Sequence, residues 1–298
     1  MEQLETLKRR IGSVEDLHSV VRTMKSLAAV NIHHYEQASR SIAEYSRTVE
    51  RGFQILLREL PGPLPRQYPE EACRCGIVVA GSHHGMCGQF NQQIASFARS
   101  RISELGVEPE NLRILSLGQR VSTRLEESGL PPARKLPMAG SLAELDTVML
   151  DVLLEVDRWR TEGSVNRILL MYNQPRSRAS YVPYWTAMFP ISAAWLEELR
   201  NRPWPSRVLP AYTMDRNELF STLTRQVFFI SLYRCLVSSL TSENASRLAA
   251  MQAAESNIED RLEELNSEYH RRRQASITVE LLDIVSGFEA ISPSAQPD

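Results

Sequence analysis

Five residues of the types that bind zinc lie within fifteen positions of one another, around a glycine-rich segment. They are Cys73, Cys75, His83, His84 and Cys87. Thiolate and imidazole groups are the usual ligands of structural zinc, but C-x-C followed by adjacent histidines is not a recognised finger spacing. Cys87 and the distant Cys235 stand in otherwise apolar segments, as small buried cysteines do. The sequence therefore favours reduced cysteines without a metal ion, and structural zinc is the weaker alternative.

The glycine-rich segment itself, residues 81–88, follows an apolar run at 76–80 that is typical of a buried strand. The turn after the first strand of an α/β sheet is a common position for a nucleotide phosphate. This turn reads GSHHGMCG, and it lacks both the G-x-G-x-x-G spacing and the Lys-Ser/Thr pair of a phosphate-binding loop. We interpret its glycines as residues that permit a sharp turn and close packing, and we expect no bound cofactor.

No catalytic set of residues can be assembled from sequence spacing alone. A Ser/His/Asp, Cys/His or paired-carboxylate arrangement would require assumed tertiary contacts. His33 and His34 are adjacent in a polar stretch, where two surface histidines are the simplest interpretation. The sequence predicts a chain that is not an enzyme by itself, so its longest elements are the better guide to function.

Those elements are helices at the two ends of the chain. Residues 211–286 contain neither glycine nor proline, and the first 60 residues contain no proline and only two glycines, Gly12 and Gly52. A single helix over 211–286 would extend for roughly 114 Å. Both segments predict helices far longer than the usual length of about 11–12 residues.

Each long helix carries one narrow apolar stripe. One column of the first helix is apolar or aromatic at every seventh residue: Leu7, Val14, Val21, Ala28, Tyr35, Ile42, Val49 and Leu56. A second, companion column of the same helix also repeats every seven residues, but it contains the polar residues His18 and Lys25. We therefore expect the adjacent Leu17 and Met24 to continue the apolar stripe at those two turns. One C-terminal column has seven apolar members of nine: Leu223, Ile230, Val237, Asn244, Met251, Ile258, Leu265, Arg272 and Val279.

Apolar columns that repeat every 3.5 residues form the seam of a coiled coil. The simplest arrangement pairs the two terminal helices of one chain in antiparallel fashion. Two separate bundles, or a homodimeric coiled coil, are the alternatives that the pattern leaves open.

Between the long helices, strand-like apolar runs alternate with helical segments. Strands are predicted at 76–80, 113–118 and 167–172, with an edge strand at 180–191. Helices are predicted at 89–105, 119–128 and 142–159. This alternation predicts a mainly parallel α/β sheet. The predicted organisation is a helix at 1–60, an α/β domain at 70–205, a helix at 211–291 and a disordered tail at 292–298.

Composition limits the class of partner. The chain has 34 basic and 36 acidic residues, and this near balance argues against a general nucleic-acid-binding protein. No apolar segment approaches the roughly 18–20 residues that span a membrane, and the N-terminus lacks a signal-peptide pattern. We expect a soluble chain that meets a membrane only through partners.

Two long motifs resemble the gamma subunit of F-type ATP synthases. Residues 242–257 read SENASRLAAMQAAESN, and residues 273–287 read RQASITVELLDIVSG. The N-terminal sequences IGSV at 11–14 and RTMKSLAA at 22–29 are similar to the first-helix signature of that family. The resemblance extends over nearly the full length and is weakest at about 105–210.

The glycine-rich turn adds to the resemblance but also shows a departure from it. GMCGQFN at 85–91 is similar to the family turn R-G-L-C-G-x-x-N, with His84 in place of the usual arginine. Lys25 occupies a position that is often acidic in the family, and residues 31–34 replace a typically more basic stretch. These departures indicate a divergent lineage.

The resemblance implies a fold of the α/β class with long helices, in which an antiparallel coiled coil of the N- and C-terminal helices carries an inserted Rossmann-like α/β domain. It implies a non-catalytic rotor shaft that couples ion flow to ATP synthesis or hydrolysis in a hexamer of alpha and beta subunits. The implied partners of the foot are the epsilon subunit and the membrane c-ring, on the cytoplasmic face of a bacterial inner membrane. A non-rotary coiled-coil scaffold is the alternative.

The resemblance also implies which residues contact the hexamer. The expected polar or lever contacts are Met24, Arg247, Arg273, Gln274, Thr278 and Glu280. The expected apolar bearing consists of Leu281, Leu282, Ile284, Val285, Phe288 and Ile291. Simple helix packing is the competing interpretation, and it is stronger for Met24 and Thr278 than for Arg247 and Gln274.

Overall fold

The computed structural model describes residues 2–58, 74–162, 165–177, 180–208 and 210–291. The predicted tail at 292–298 and Cys73 lie outside this described part, as do the side chains of Phe288 and Ile291.

The predicted long helices are confirmed. Helix α1 spans Glu2–Arg58, and helix α6 spans Arg216–Ile291. The start of α6 is set by Asp215, whose Oδ1 accepts hydrogen bonds from the backbone N–H groups of Asn217 at 2.8 Å and Glu218 at 3.2 Å. An aspartate in this N-cap position satisfies amide groups that have no partner in the first turn of a helix.

The chain divides into two compact bodies. The described residues of 2–27 and 250–291 form one, here called the helical body, and those of 28–249 form the other, here called the α/β body. In the helical body, His18 faces Glu259 and Lys25 faces Glu255. Residue numbers therefore increase along α1 in the direction in which they decrease along α6. The two helices of the chain are antiparallel, as predicted.

The same antiparallel order holds inside the α/β body. Asn31 Nδ2 donates to Asn244 Oδ1 at 3.5 Å, and Tyr45 Oη donates to Gln226 Oε1 at 2.8 Å. Apolar side chains from both helices also form a buried cluster in this body. Its members on the two helices are Ile42, Val49, Phe53, Leu57, Leu223 and Ile230.

The predicted seam column of α1 is buried, apart from a half-buried Val14. The expectation that Leu17 continues the companion column is wrong, because its side chain is 52% exposed. His18 and Lys25 instead keep their seam positions. They can do so because the carboxylates of Glu259 and Glu255 on α6 face these two polar side chains, so the stripe does not need to move to the neighbouring residue.

In the described residues, the α/β body holds a five-stranded sheet with the order β3-β2-β1-β4-β5. The strands are β1 (Cys75–Ala80), β2 (Leu112–Leu117), β3 (Arg134–Leu136), β4 (Arg167–Ser177) and β5 (Ser180–Phe189). Neighbouring strands are parallel except for the antiparallel pair β4–β5. In the central register, Val78 of β1 lies opposite Leu115 of β2 and Leu170 of β4. The predicted mainly parallel sheet is confirmed.

Helices cover both faces of this sheet. They are α2 (Phe90–Leu105) and α3 (Gln119–Glu127) on one face, and α4 (Leu145–Thr161) and α6 on the other, whereas α5 (Ala193–Asn201) packs in a cluster with α1 and α6. On one face, Ile77 and Val79 pack in a cluster with residues of α2 and α3. On the other face, Val78 and Ala80 pack in a cluster with residues of α4 and with Leu236 of α6. Helix α6 is therefore part of the core of the α/β body as well as a member of the helix pair.

The first prediction compares two positions one turn apart on α1. Val21 is 6% exposed and packs with Met251 and Ile258, whereas Leu17 faces outward. Val21→Asp should lower the free energy of unfolding by roughly 3–5 kcal/mol, because it buries a charge without a partner. Leu17→Asp should change it by about 0.5 kcal/mol or less. Circular-dichroism melting of the purified variants measures both, and equal losses would contradict the seam assigned to α1.

Candidate functional site

The turn after β1 lies where β1 adjoins both β2 and β4, the position at which doubly wound sheets commonly hold ligands. In this chain the polar atoms of the turn bind one another. The backbone N–H of Ser82 donates to Asn91 Oδ1 at 2.9 Å, and Asn91 Nδ2 donates to Ser82 Oγ at 2.7 Å. Ser82 Oγ in turn donates to the carbonyl of His84 at 2.7 Å. The side chain of Asn91 thus holds the turn in shape.

The glycines around the turn permit close packing, as predicted. A Cβ atom on Gly81 would lie 2.3 Å from Cβ of Val121. Gly118, at the end of β2, has a φ of +109°, and a Cβ atom there would lie 2.5 Å from the carbonyl oxygen of Ser82. Neither position can accept a side chain without moving the backbone.

The described cysteines are all buried: Cys75, Cys87 and Cys235. Burial was predicted for Cys87 and Cys235. Cys87 Sγ lies 3.5 Å from Ser82 Oγ and within reach of Asn91, inside the turn. Burial raises the pKa of the Cys87 thiol and that of the Cys235 thiol. Thiols held in this protonated state are poor nucleophiles.

A buried ion pair on α6 adjoins the turn. Arg247 Nη2 donates to Glu243 Oε1 at 2.7 Å and lies 3.5 Å from the carbonyl of Gly85. Glu243 is 6% exposed, and this burial raises the pKa of its carboxyl group, while Arg247 opposes the shift. A cavity of about 380 Å³ lies beside the pair. Its lining includes Asn31, Tyr35, His83, His84, Asn244 and Arg247.

Arg247 was expected to contact a hexamer, and the structure shows that its guanidinium group already has partners inside the α/β body. The arginine joins α6 to the turn through Gly85 and neutralises Glu243 on the same helix. A buried pair of this kind contributes little net stability, but losing one partner strands the other charge. The predicted coupling role of Arg247 stays a prediction.

Removing the arginine should produce a stability loss that depends on pH. In Arg247→Gln, the folded-state pKa of Glu243 should rise further above its unfolded value. The protonated Glu243 carboxyl then contributes stability that is fully present below about pH 4.3, the unfolded-state pKa. This contribution is lost as the pH rises through the folded-state pKa. We expect a loss of roughly 3–5 kcal/mol at pH 7.5 and a much smaller loss at pH 4.5, measured by urea unfolding.

The matched control is Arg261→Gln, which removes an exposed pair on the same helix, Arg261–Glu264, with an N–O distance of 2.6 Å. Its effect should stay within about 0.5 kcal/mol at either pH. A loss in Arg247→Gln that is the same at both pH values would contradict the assignment of the buried charge to Glu243.

The helical body brings a second group of polar residues together at its seam. Lys25 Nζ donates to Glu255 Oε2, and this hydrogen bond lowers the pKa of the Glu255 carboxyl group. Met24 is half-buried and packs against the apolar cluster of Val21, Met251 and Ile258. Helix packing thus accounts for part of the Met24 side chain, and its predicted contact with a partner stays a prediction.

The C-terminal part of α6 presents both predicted sets of contact residues to solvent. The polar residues Arg273, Gln274, Thr278 and Glu280 are exposed. Thr278 Oγ1 donates to the backbone carbonyl of Gln274 at 2.9 Å. The described members of the predicted bearing are 52–68% exposed: Leu281, Leu282, Ile284 and Val285. Contiguous exposed apolar side chains of this kind mark an interaction surface.

A further outward-facing apolar stripe on α1 was not predicted. Leu17, Val20 and Leu27 are each more than half exposed. Their spacing of three and seven residues places them on one face of the helix, away from the buried column. The spacing is visible in the sequence, but Leu17 was interpreted as a continuation of the seam.

Comparison with known proteins identifies the family to which the chain belongs. The model of the ATP synthase family, ATP-synt, matches residues 3–291. The ATP synthase gamma chain of Brucella ovis is 26% identical over 298 residues, covering 98% of this chain and 100% of the relative. This chain belongs to the gamma-chain family of ATP synthases. A second gamma chain, from Granulibacter bethesdensis, is 27% identical over 302 residues and covers 98% of this chain and 100% of the relative.

Solved structures support the gamma-type fold. A chain of the Euglena gracilis mitochondrial ATP synthase, in its OSCP/F1/c-ring structure, superposes with a TM-score of 0.65. The superposition covers 100% of this gamma-family chain and 99% of the Euglena chain, and the two sequences are 14% identical. A chain from the central stalk and c-ring of the Tetrahymena thermophila enzyme has a TM-score of 0.52 at 17% identity, covering 79% of this chain and 99% of its own. In the described part of this gamma-family chain, no helix has the length and apolar character needed to cross a membrane.

Proposed function

We propose that this gamma-family chain is the non-catalytic central shaft of an F-type ATP synthase, turning inside a hexamer of alpha and beta subunits. Its rotation would couple ion flow through the membrane sector to ATP synthesis or hydrolysis in that hexamer. One observation carries the proposal: the C-terminal part of α6 exposes the apolar side chains Leu281, Leu282, Ile284 and Val285, which the described residues of the chain leave uncovered.

A torque-bearing element has to resist twisting and bending. Isolated helices are marginal in water, and most helical stability in proteins comes from packing. In both bodies α1 packs against α6 through buried apolar residues: Val21 shares a cluster with Met251, and Ile42 and Phe53 share one with Leu223 and Ile230. The two helices can therefore support each other as a shaft.

The exposed apolar segment suits a bearing. Leu281, Leu282, Ile284 and Val285 attract an apolar sleeve without directional hydrogen bonds. Phe288 and Ile291 belong to the same proposed bearing by sequence. The contact energy of such a surface changes little as the shaft turns, so it creates no deep stopping points.

The polar residues just before the bearing suit directional contacts. Arg273, Gln274, Thr278 and Glu280 are exposed on α6 and would meet polar groups of one catalytic subunit at a time. Because three catalytic subunits would then see different faces of one shaft, each could favour a different conformation. Met24 would add a contact from α1, beside the outward stripe of Leu17, Val20 and Leu27.

The α/β body is proposed to contact the epsilon subunit and the membrane c-ring. The chain would then be a peripheral protein on the cytoplasmic face of a bacterial inner membrane. Membership of the ATP synthase gamma-chain family supports this position, and the described residues contain no membrane-spanning helix.

Reconstitution tests the proposal directly. The purified chain should show no ATPase activity, and one copy should join matching alpha and beta subunits to give an active hexamer. Leu282→Asp should weaken this assembly, because it places a charge in the apolar bearing. Leu150→Asp, at an equally exposed leucine of α4, should not. Hydrolysis by the isolated chain would contradict the non-catalytic role, and failure to join the hexamer or equal effects of the two variants would favour a non-rotary scaffold.

Gln274→Leu tests the polar contacts separately. Loss of one hydrogen bond should cost about 0.5–1.5 kcal/mol in the complex, and more if a buried partner is stranded. ATP-driven ion pumping should therefore fall, while the melting temperature of the isolated chain stays unchanged because Gln274 is exposed. The control is Gln252→Leu, which changes another exposed glutamine of α6. A lower melting temperature in Gln274→Leu would assign this residue a structural role instead.

A further inference from the structure

Three side chains with metal-binding atoms converge in the helical body. They are His18 on α1 and Glu255 and Glu259 on α6, and their ligand atoms all lie within 4.8 Å of one another. The two glutamates are four residues apart, so they share one face of α6. The antiparallel pairing places the imidazole of His18 opposite both carboxylates, which brings ligands from two helices to one point.

The separation of His18 and Glu259 suits two ligands of a small tetrahedral ion. His18 Nε2 lies 3.5 Å from Glu259 Oε1, is shielded from solvent and makes no hydrogen bond. Zinc binds imidazole nitrogen and carboxylate oxygen at about 2.0–2.2 Å, so two ligand atoms at a tetrahedral angle lie about 3.4 Å apart. The observed separation leaves the two atoms too far apart for a good hydrogen bond but suitably placed for a shared ion.

We propose that His18, Glu255 and Glu259 form a binding site for a divalent transition-metal ion of the zinc class, bridging α1 and α6. One imidazole nitrogen and two carboxylate oxygens supply three ligands, and water completes the tetrahedron. The imidazole favours zinc or cobalt over magnesium and calcium, which prefer oxygen ligands. The ion would also offset the negative charge of the two neighbouring glutamates.

Lys25 regulates access to this site. Its ammonium group donates to Glu255, so the metal-free site keeps that carboxylate paired. A metal ion that binds Glu255 through the same oxygen, Oε2, has to displace Lys25 before it gains its third protein ligand. The site therefore has two alternative states, one with the lysine on Glu255 and one with the ion, and Lys25 weakens metal binding by competition.

The test uses the untagged full-length chain and Co²⁺ as a spectroscopic probe. Wild-type protein should bind one Co²⁺ per chain with the intense visible bands of a tetrahedral complex, and Zn²⁺ should displace it. His18→Gln and Glu259→Gln should each weaken binding at least about tenfold. The matched control is His270→Gln, at an exposed histidine of α6, and it should leave binding unchanged. Circular dichroism of the metal-free variants confirms that each is folded.

Two further measurements separate this site from adventitious surface binding. Lys25→Met should tighten Co²⁺ binding, because it removes the competitor for Glu255. Zn²⁺ should raise the melting temperature of the wild-type chain but not that of His18→Gln, because the ion binds only the paired helices. Failure to bind one ion per chain, equal binding by His18→Gln and His270→Gln, or unchanged affinity in Lys25→Met would overturn the three-ligand site. These readouts use the chain alone and do not depend on a rotary function.

Discussion

The packing of α1 against α6 is the interaction on which the rest of the structure depends. Each helix carries an apolar column that would be costly to leave in water, and the two columns bury each other in both bodies. Helix α6 also packs against the sheet, because Leu232 and Leu236 belong to the buried cluster that contains Val78. The α/β body is therefore built onto one member of the helix pair, and a substitution in that stretch of α6 would disturb the sheet and the pair together.

Polar residues interrupt the apolar seam between α1 and α6 at defined points. They specify the register of the two helices more than they stabilise the pair. Buried or half-buried charge pairs roughly repay their own desolvation, yet they penalise a shifted register in which the partners no longer meet. Lys25 with Glu255 acts in this way in the helical body. Asn31 with Asn244 does so in the α/β body. A helix pair stabilised only by leucine and valine would pack comparably well in several registers.

Sequence periodicity predicted the long helices, the antiparallel pairing and the parallel sheet because each depends on a repeated local pattern. The three-residue strand β3 was missed, since it is too short to show alternation and begins with Arg134 and Lys135. Strand β4 continues beyond the predicted Tyr172 to Ser177 because β5 pairs with it along its length, a contact that no local pattern reveals. The exposure of Leu17 and the grouping of His18 with Glu255 and Glu259 depend on which residue of α6 faces each turn of α1. That register exists only in the folded pair.

The turn after β1 and the C-terminal part of α6 differ in whether their side chains have partners within the chain. This difference indicates which of the two surfaces is available to bind a partner. Ser82 and Asn91 use their hydrogen-bonding capacity on each other, so the turn is complete within the chain. Leu281, Leu282 and Ile284 remain uncovered, and burying each in a partner would contribute roughly 1.5–3 kcal/mol. In the proposed shaft this gain would be nearly the same at every angle, so it would hold the shaft in place without resisting its rotation. Angular preference would then come from the few exposed polar residues beside the bearing, whose hydrogen bonds form with one catalytic subunit and break before the next.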